Sequence, residues 1–199
     1  MTDGTVTNAT PDPGRTTAAT GVVVSVNDWT ESLVVDGRTL TVRPIRDDDI
    51  NRLRRLFFRL SPETVHLRFF QPVKTPSEKL LHHLAEVDHQ RRQALVAEYD
   101  DEIVAVARYD RTDDSPAAEV AILVEDAWQG HGLGQRLLRR LASDALEHGV
   151  VELTATVLGE NHRALALVHR VAPVTHSQLD HGEWYLDVPL SADQVIKSA

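Results

Sequence analysis

The chain contains no cysteine, which excludes disulfides, thiolate metal centres and cysteine nucleophiles. No apolar run approaches the roughly 18 residues of a membrane-spanning helix. The start, Met1-Thr2-Asp3-Gly4, lacks the basic-then-apolar order of a secretory signal peptide, so a cytoplasmic protein away from membranes is expected. Positive charge is in deficit: the net charge is −9, which disfavours non-specific nucleic-acid binding and is compatible with a cationic substrate. Lysine is scarce, with 3 Lys against 18 Arg. The 10 histidines have no metal-ligand spacing: His162, His169 and His176 recur every seven residues but are interrupted by Pro173, and His82 and His83 are adjacent. No metal is expected.

What is present is enough for one domain with a real core in 199 residues. Residues 1–20, rich in Thr, Pro, Asp, Ala and Gly, read as a disordered arm. Residues 21–190 read as a single domain, of which 21–38 is a strand and hairpin extension, and 191–199 as a tail. Val22–Val26 is a short strand. Leu33–Val35, Asp36-Gly37 and Leu40–Val42 make a hairpin with a type I′ turn. Asp47-Asp48-Asp49 caps a helix whose apolar face is Ile50, Leu53, Leu56, Phe57 and Leu60. Ser61-Pro62 restarts a helix, and Thr75-Pro76-Ser77-Glu78 reads as a capping box with Pro at the first helical position. Ala94–Tyr99 and Ile103–Tyr109 form an antiparallel pair turning at Asp100-Asp101. Val151–Val157 and Trp184–Val188 are further strands, and Asn161–Val171 is a helix that Pro173 ends. The order gives a mixed α/β sheet with helices packed on it, not a regular βαβ array.

The chemistry concentrates between Ala118–Val124, an apolar strand, and a helix with the stripe Leu137, Leu138, Leu141, Ala145 and Leu146, closed by Gly149. Between them stands Gln129-Gly130-His131-Gly132-Leu133-Gly134. Strand, glycine turn and helix N-terminus together make an anion cradle, because free backbone N–H groups and the positive end of the helix dipole converge there. The spacing is neither a dinucleotide fingerprint nor a P-loop, and a tight strand-to-helix turn that binds nothing is the lesser alternative.

Glu119 lies on the strand, sharing one face with Ala121 and Leu123, while Val120, Ile122 and Val124 take the other. A carboxylate among Ala, Val and Ile is an unusual strand residue. Partial burial is expected for it, an environment that suits a general base; an edge glutamate facing solvent is the plain alternative. Trp128 is expected to pack the turn.

Over residues 39–172 the chain resembles the GNAT superfamily of N-acetyltransferases. The resemblance is strongest from Glu119 to Leu141, where the strand, Asp126-Ala127-Trp128, the glycine motif and Leu137-Leu138 follow in the family's order. Within the superfamily it looks like the bacterial protein lysine acetyltransferases called Pat, on Thr41–Arg46 with the Asp triplet, Leu60–Glu63, Leu67–Phe70, Ala94–Glu98, Val106–Tyr109 and Ala118–Ala121. The resemblance implies a mixed, mostly antiparallel sheet flanked by helices and an acetyl-CoA site at the strand, glycine turn and helix. The backbone of Ile122, Leu123 and Val124 would pair with the pantetheine arm. Gln129, Gly130, His131, Gly132, Leu133, Gly134 and Gln135 would hold the diphosphate, and Asn161 would contact the cofactor arm. Glu119 would be the general base for direct attack of an amine on the thioester, and Ser61–Phe70, with Arg68, would border the acceptor.

There are departures. The tyrosine many members use as general acid is replaced at the matching position by Val168; His169 beside it reads as an ordinary helix-face histidine, with a substitute acid as the lesser alternative. The usual closing Gly-Phe is Ala172-Pro173. The expected activity is acetyl transfer to a primary amine, with a protein lysine as acceptor. The rivals are a small-amine acetyltransferase, acting on an aminoglycoside, polyamine or amino acid, and a degenerate acyl-CoA-binding sensor or scaffold. A closed acidic pocket would favour the small amine and an open groove the protein.

Overall fold

Three two-residue turns organise the antiparallel part of the sheet. Asp36-Gly37 (φ 50° and 74°), Asp100-Asp101 (φ 53° and 60°) and His181-Gly182 (φ 47° and 88°) each place both residues in the left-handed region, as a type I′ turn requires. Asp, Gly and His tolerate that conformation better than branched residues do. The structure, a computed structural model, describes residues 29–112 and 115–191. The arm expected over 1–20, the strand expected at 22–26 and all but the first residue of the expected tail lie outside the described residues.

The turns join β1 (Glu31–Val35) to β2 (Arg38–Pro44), β3 (Arg92–Tyr99) to β4 (Glu102–Asp110), and β7 (His176–Asp180) to β8 (Glu183–Pro189). With β5 (Ala117–Val124) and β6 (Glu152–Leu158) these strands form one eight-stranded sheet in the order β1-β2-β3-β4-β5-β6-β8-β7. Every neighbouring pair is antiparallel except β5 and β6. That parallel ladder has three pairs, Ala117↔Glu152, Ala118↔Leu153 and Glu119↔Thr154. Beyond Glu119 the two strands separate, and β5 stays paired only to β4.

Helices cover both faces. On one, α4 (Leu133–Glu147) buries Leu133, Leu137, Leu138 and Leu141 against Leu95, Ala97, Val104 and Tyr109, and α5 (His162–Val171) packs alongside. On the other, α1 (Ile50–Arg59) and α3 (Glu78–Ala85) set Leu53, Leu56 and Leu81 against Ala94, Val96 and Val106. The alternation Ala94, Leu95, Val96, Ala97 thus feeds two cores from one strand.

The caps show what holds the helices in place. Ser61 Oγ accepts from Thr64 N–H at 3.1 Å and starts α2 (Pro62–Phe69). For α3 the expected Thr75–Pro76 start is displaced by two residues: Ser77 is the cap, accepting from Leu80 N–H at 3.1 Å. The hydroxyl nearest the first free N–H groups wins, and Pro76 is buried in the approach. Helix α4 ends on Gly149 (φ 77°). Gly149 N–H donates to Leu146 at 3.0 Å and Val150 N–H to Ala145 at 2.9 Å, the paired bonds of a Schellman motif.

Two features differ from the expectations of the sequence. Strand β7 was not foreseen, because all five of its residues are exposed and carry no alternating pattern. The Asp triplet is not simply a surface cap. Asp49 is fully buried, and its carboxylate accepts from Arg43 at 2.7 and 2.8 Å, from Arg52 at 3.1 Å and from Arg46 N–H at 2.9 Å. Arg43 also pairs with Glu98 on β3.

Candidate functional site

The separation of β5 from β6 opens a cleft of about 270 Å³. Its floor is Glu119–Ile122 of β5 and Ala155–Val157 of β6. One wall is Leu67–Phe70 of α2, the other Asn161, Ala164, Leu167 and Val168 of α5. From Val120 to Val124, β5 has no partner strand on this side among the described residues. An extended amide chain could add to that edge as a strand would.

At the far end of β5 a 3-10 turn, Asp126–Trp128, leads into the glycine turn. Gly130 (φ 82°) and Gly132 (φ 80°) are both left-handed, and a Cβ at either would meet nothing within 4 Å. Backbone conformation demands glycine here, and the space above the backbone is open. The N–H groups of Gly130 to Gln135 donate to no acceptor among the described residues; the first to bond is Arg136, to Gly132 at 3.2 Å. Gly134 has another reason: a Cβ there would stand 3.3 Å from Ile122 Cδ1 and 3.4 Å from Leu167 Cδ2. It lets α4 sit close on β5 and α5.

The other candidate residues divide by what their side chains are free to do. Leu133 is fully buried, so only its N–H faces the turn. Gln129 is a crosslink: its Nε2 donates to Val124 carbonyl at 3.0 Å and Thr64 Oγ1 at 3.1 Å, and its Oε1 accepts from Arg163 at 3.0 Å. Gln135 is engaged with Arg139, its amide oxygen accepting at 2.8 and 3.3 Å. His131 pairs with Asp36 of the β1–β2 turn. Asn161 caps α5, its Oδ1 accepting from Ala164 N–H at 3.0 Å, while it also lines the cleft. Ile122 lines the main cleft and Leu123 the smaller pocket behind it, as strand alternation predicts. Trp128 is buried against Tyr99, ring centroids 5.0 Å apart; it packs the turn.

Glu119 stands on the cleft floor, where β5 and β6 part. The expected partial burial is wrong: it is exposed, because the ladder to β6 ends at this residue and leaves its side chain uncovered. Val168 lines the cleft, whereas His169 is exposed and lies outside the lining. A helix turns about 100° per residue, and His169 falls beyond the arc that Ala164, Leu167 and Val168 present to the cleft. At the Ala172-Pro173 departure, Ala172 is buried and extended, capping α5, and β7 begins at His176.

Sequence reasoning missed three contributors. Asp126 takes hydrogen bonds from Ser61 N–H (2.9 Å), Ser61 Oγ (2.6 Å) and Thr64 Oγ1 (2.7 Å), tying α2 to the turn before the glycines. Burial pushes its pKa up, but these bonds outweigh that and hold it below the usual aspartate value. Arg163 reaches Gln129 from α5, and His66 meets Glu160 at 3.1 Å across the cleft mouth. These partners lie far apart in the chain, and no local motif joins them. Among the described residues no group of three or more His, Asp or Glu is placed to hold a metal ion, and no helix is long and apolar enough to cross a membrane.

Comparison with known proteins gives the same picture. A family model described as the acetyltransferase (GNAT) family matches residues 52–172. An acetyltransferase of Pseudomonas aeruginosa is 33% identical over 168 residues, covering 79% of this chain and 90% of that protein. The GNAT domain of S. lividans PAT superposes with a TM-score of 0.76 at 33% identity, covering 81% of this chain and 97% of that domain. The fold also matches yncA of Salmonella typhimurium, solved with its cofactor acetyl-CoA, with a TM-score of 0.60 at 21% identity over 77% of this chain and 95% of that one.

Proposed function

From the premise that this chain belongs to the GNAT family of acetyltransferases, we propose that it moves an acetyl group from acetyl-CoA to the ε-amine of a lysine on a protein. The observation that carries the reading is the succession of two features along one strand: an unpaired β5 edge leading from Glu119 toward a glycine turn whose N–H groups have no acceptor among the described residues. An extended amide chain ending in a diphosphate fits this sequence of donors. When bound, acetyl-CoA supplies an activated acetyl thioester.

The rest is work for this chain's own groups. The α4 N-terminus, with the N–H groups of Gly130 to Gln135, holds the diphosphate. Arg163, beside Gln129, adds positive charge at the same end. The edge of Ile122, Leu123 and Val124 would align the amide arm, and a β5 N–H near Glu119 would be placed to polarise a thioester carbonyl. Asn161 borders the arm from α5. Glu119 takes the proton that an ammonium must lose before it can attack; being exposed, it passes that proton to water. Val168 offers no proton donor, so a thiolate leaving group would receive no acid help from that position.

Openness of the cleft and exposure of Glu119 support a macromolecular acceptor over an enclosed small amine. Titration with acetyl-CoA by calorimetry, with Gly132→Glu as the blocked control, tests the cofactor site. Glu119→Gln should keep that affinity and lose at least ~100-fold in turnover. Equal turnover by variant and wild type would remove Glu119 from the mechanism.

A further inference from the structure

The cleft contains a cation that the described residues do not answer. Arg68, on α2, lines both the main cleft and a smaller, largely apolar pocket of about 40 Å³ between α1, α3 and β5. Its guanidinium lies 5.1 Å from the Phe69 ring centroid, a cation–π contact. It has no hydrogen bond or ion pair with a described residue. The neighbouring Arg108 is in the opposite condition. It is buried, its Nε and Nη2 donate to Asp110 at 3.0 and 3.1 Å, and Asp110 also accepts from Arg92 at 2.9 Å. One aspartate therefore serves two guanidiniums and has little left for a third. Glu119 faces Arg68 electrostatically, yet the two form no ion pair.

The charge balance points the same way. Burial acts most strongly on Arg68 and lowers its pKa, the Arg108 cation lowers it further, and Glu119 and Asp110 only partly oppose them. A guanidinium still keeps its proton at neutral pH. A half-buried cation with five donors and no acceptor among the described residues leaves those donors to water or to a ligand in the cleft. The diphosphate would sit at the other end of β5, so it is not that ligand.

We propose that Arg68 forms a carboxylate subsite at the acyl-transfer end of the cleft, receiving a carboxylate carried by a substrate. This rests on the acetyltransferase reading above. The planar fork of arginine matches a carboxylate bidentately, and the chemistry has two sources: the far end of a dicarboxylic acyl chain, or an acidic side chain next to the acceptor lysine. The small pocket beside Arg68 is apolar apart from Arg108, whose Nε and Nη2 are already taken by Asp110, so the carboxylate would be recognised by Arg68.

The test is steady-state kcat/KM for wild type, Arg68→Gln and Arg68→Lys in two arms, with acetyl-CoA calorimetry on each protein. One arm compares succinyl-CoA with butyryl-CoA on a single lysine peptide. The other compares acetyl-CoA transfer to a lysine peptide flanked by Asp and to the same peptide with Asn. Wild type should favour the carboxylate in one arm by about 10- to 100-fold. Arg68→Gln should erase that ratio and Arg68→Lys restore part of it; the responding arm names the source. Wild-type ratios near one in both arms, or a ratio that survives in Arg68→Gln, overturn the subsite while leaving the acetyltransferase reading intact if acetyl-CoA binds. Failure of wild type to bind acetyl-CoA takes both readings down. If Arg68→Gln does not fold, the wild-type ratios and Arg68→Lys decide.

Discussion

Helix α4 carries a left-handed glycine at each end, Gly132 (φ 80°) and Gly149 (φ 77°), and a Cβ at either would meet nothing within 4 Å. Alanine at each position therefore carries a similar backbone penalty and no steric one. Holding an L-residue left-handed costs about 1–2 kcal/mol, and the entropy alanine removes from the unfolded chain does not offset it when φ is positive. In a protein of this size that corresponds to a melting temperature lower by about 2–8 °C. The two variants should thus be alike in stability. They should differ in affinity, because only the Gly132 methyl stands where a diphosphate would approach the N–H groups of α4. Disturbing hydrogen bonds to a charged ligand costs about 1.5–3 kcal/mol, or about 10- to 150-fold in Kd. Thermal unfolding and acetyl-CoA calorimetry on Gly132→Ala, Gly149→Ala and wild type separate the effects. Three equal affinities would refute the cradle; a Gly149→Ala loss matching that of Gly132→Ala would show that general loosening of α4, not the cradle, sets affinity.

Other expectations follow from the buried charges. Asp49→Ala leaves Arg43, which is 2% exposed, with only Glu98 and the Pro44 carbonyl, and should cost about 3–5 kcal/mol in urea unfolding; a loss under 1 kcal/mol would mean the network is dispensable. Acid should destabilise the fold through Asp49, Asp110 and Asp126. For each, burial pushes the pKa up, but hydrogen bonds from Arg43, Arg108 and Ser61 respectively outweigh it, leaving the folded value below the unfolded one. Their contribution is complete above the ordinary aspartate pKa of about 3.9 and is lost as pH falls through the folded values. Urea midpoints at pH 6 and pH 2.5 check this, and equal midpoints would contradict it.

Where local chemistry decides, the sequence was readable. Asp36-Gly37 predicts its turn because few residues accept two positive φ angles in succession, and Ser61 predicts its cap because its hydroxyl sits beside the N–H it satisfies. The faces of β5 followed from alternation. What was not readable depends on partners distant in the chain. The exposure of Glu119 is set by where β6 leaves β5, not by the apolar residues flanking it. The burial of Asp49 depends on Arg43 and Glu98 arriving from two strands. The Asp126–Ser61–Thr64 tie has no signature on either side, and β7 has no apolar face to show.

The three-residue parallel ladder has a consequence for the sheet as a whole. It divides the hydrogen-bonded backbone into a five-strand part, β1 to β5, and a three-strand part, β6 to β8, joined along a seam of three residue pairs. Everything below Glu119 on that seam is open. A ligand lying along β5 would be read by the fold as missing backbone, so an acyl donor bound there would be at once reactant and mortar. The two halves should breathe against each other most freely in the unliganded protein, and amide exchange at Val120–Val124 and Ala155–Leu158 should slow together when the seam is filled.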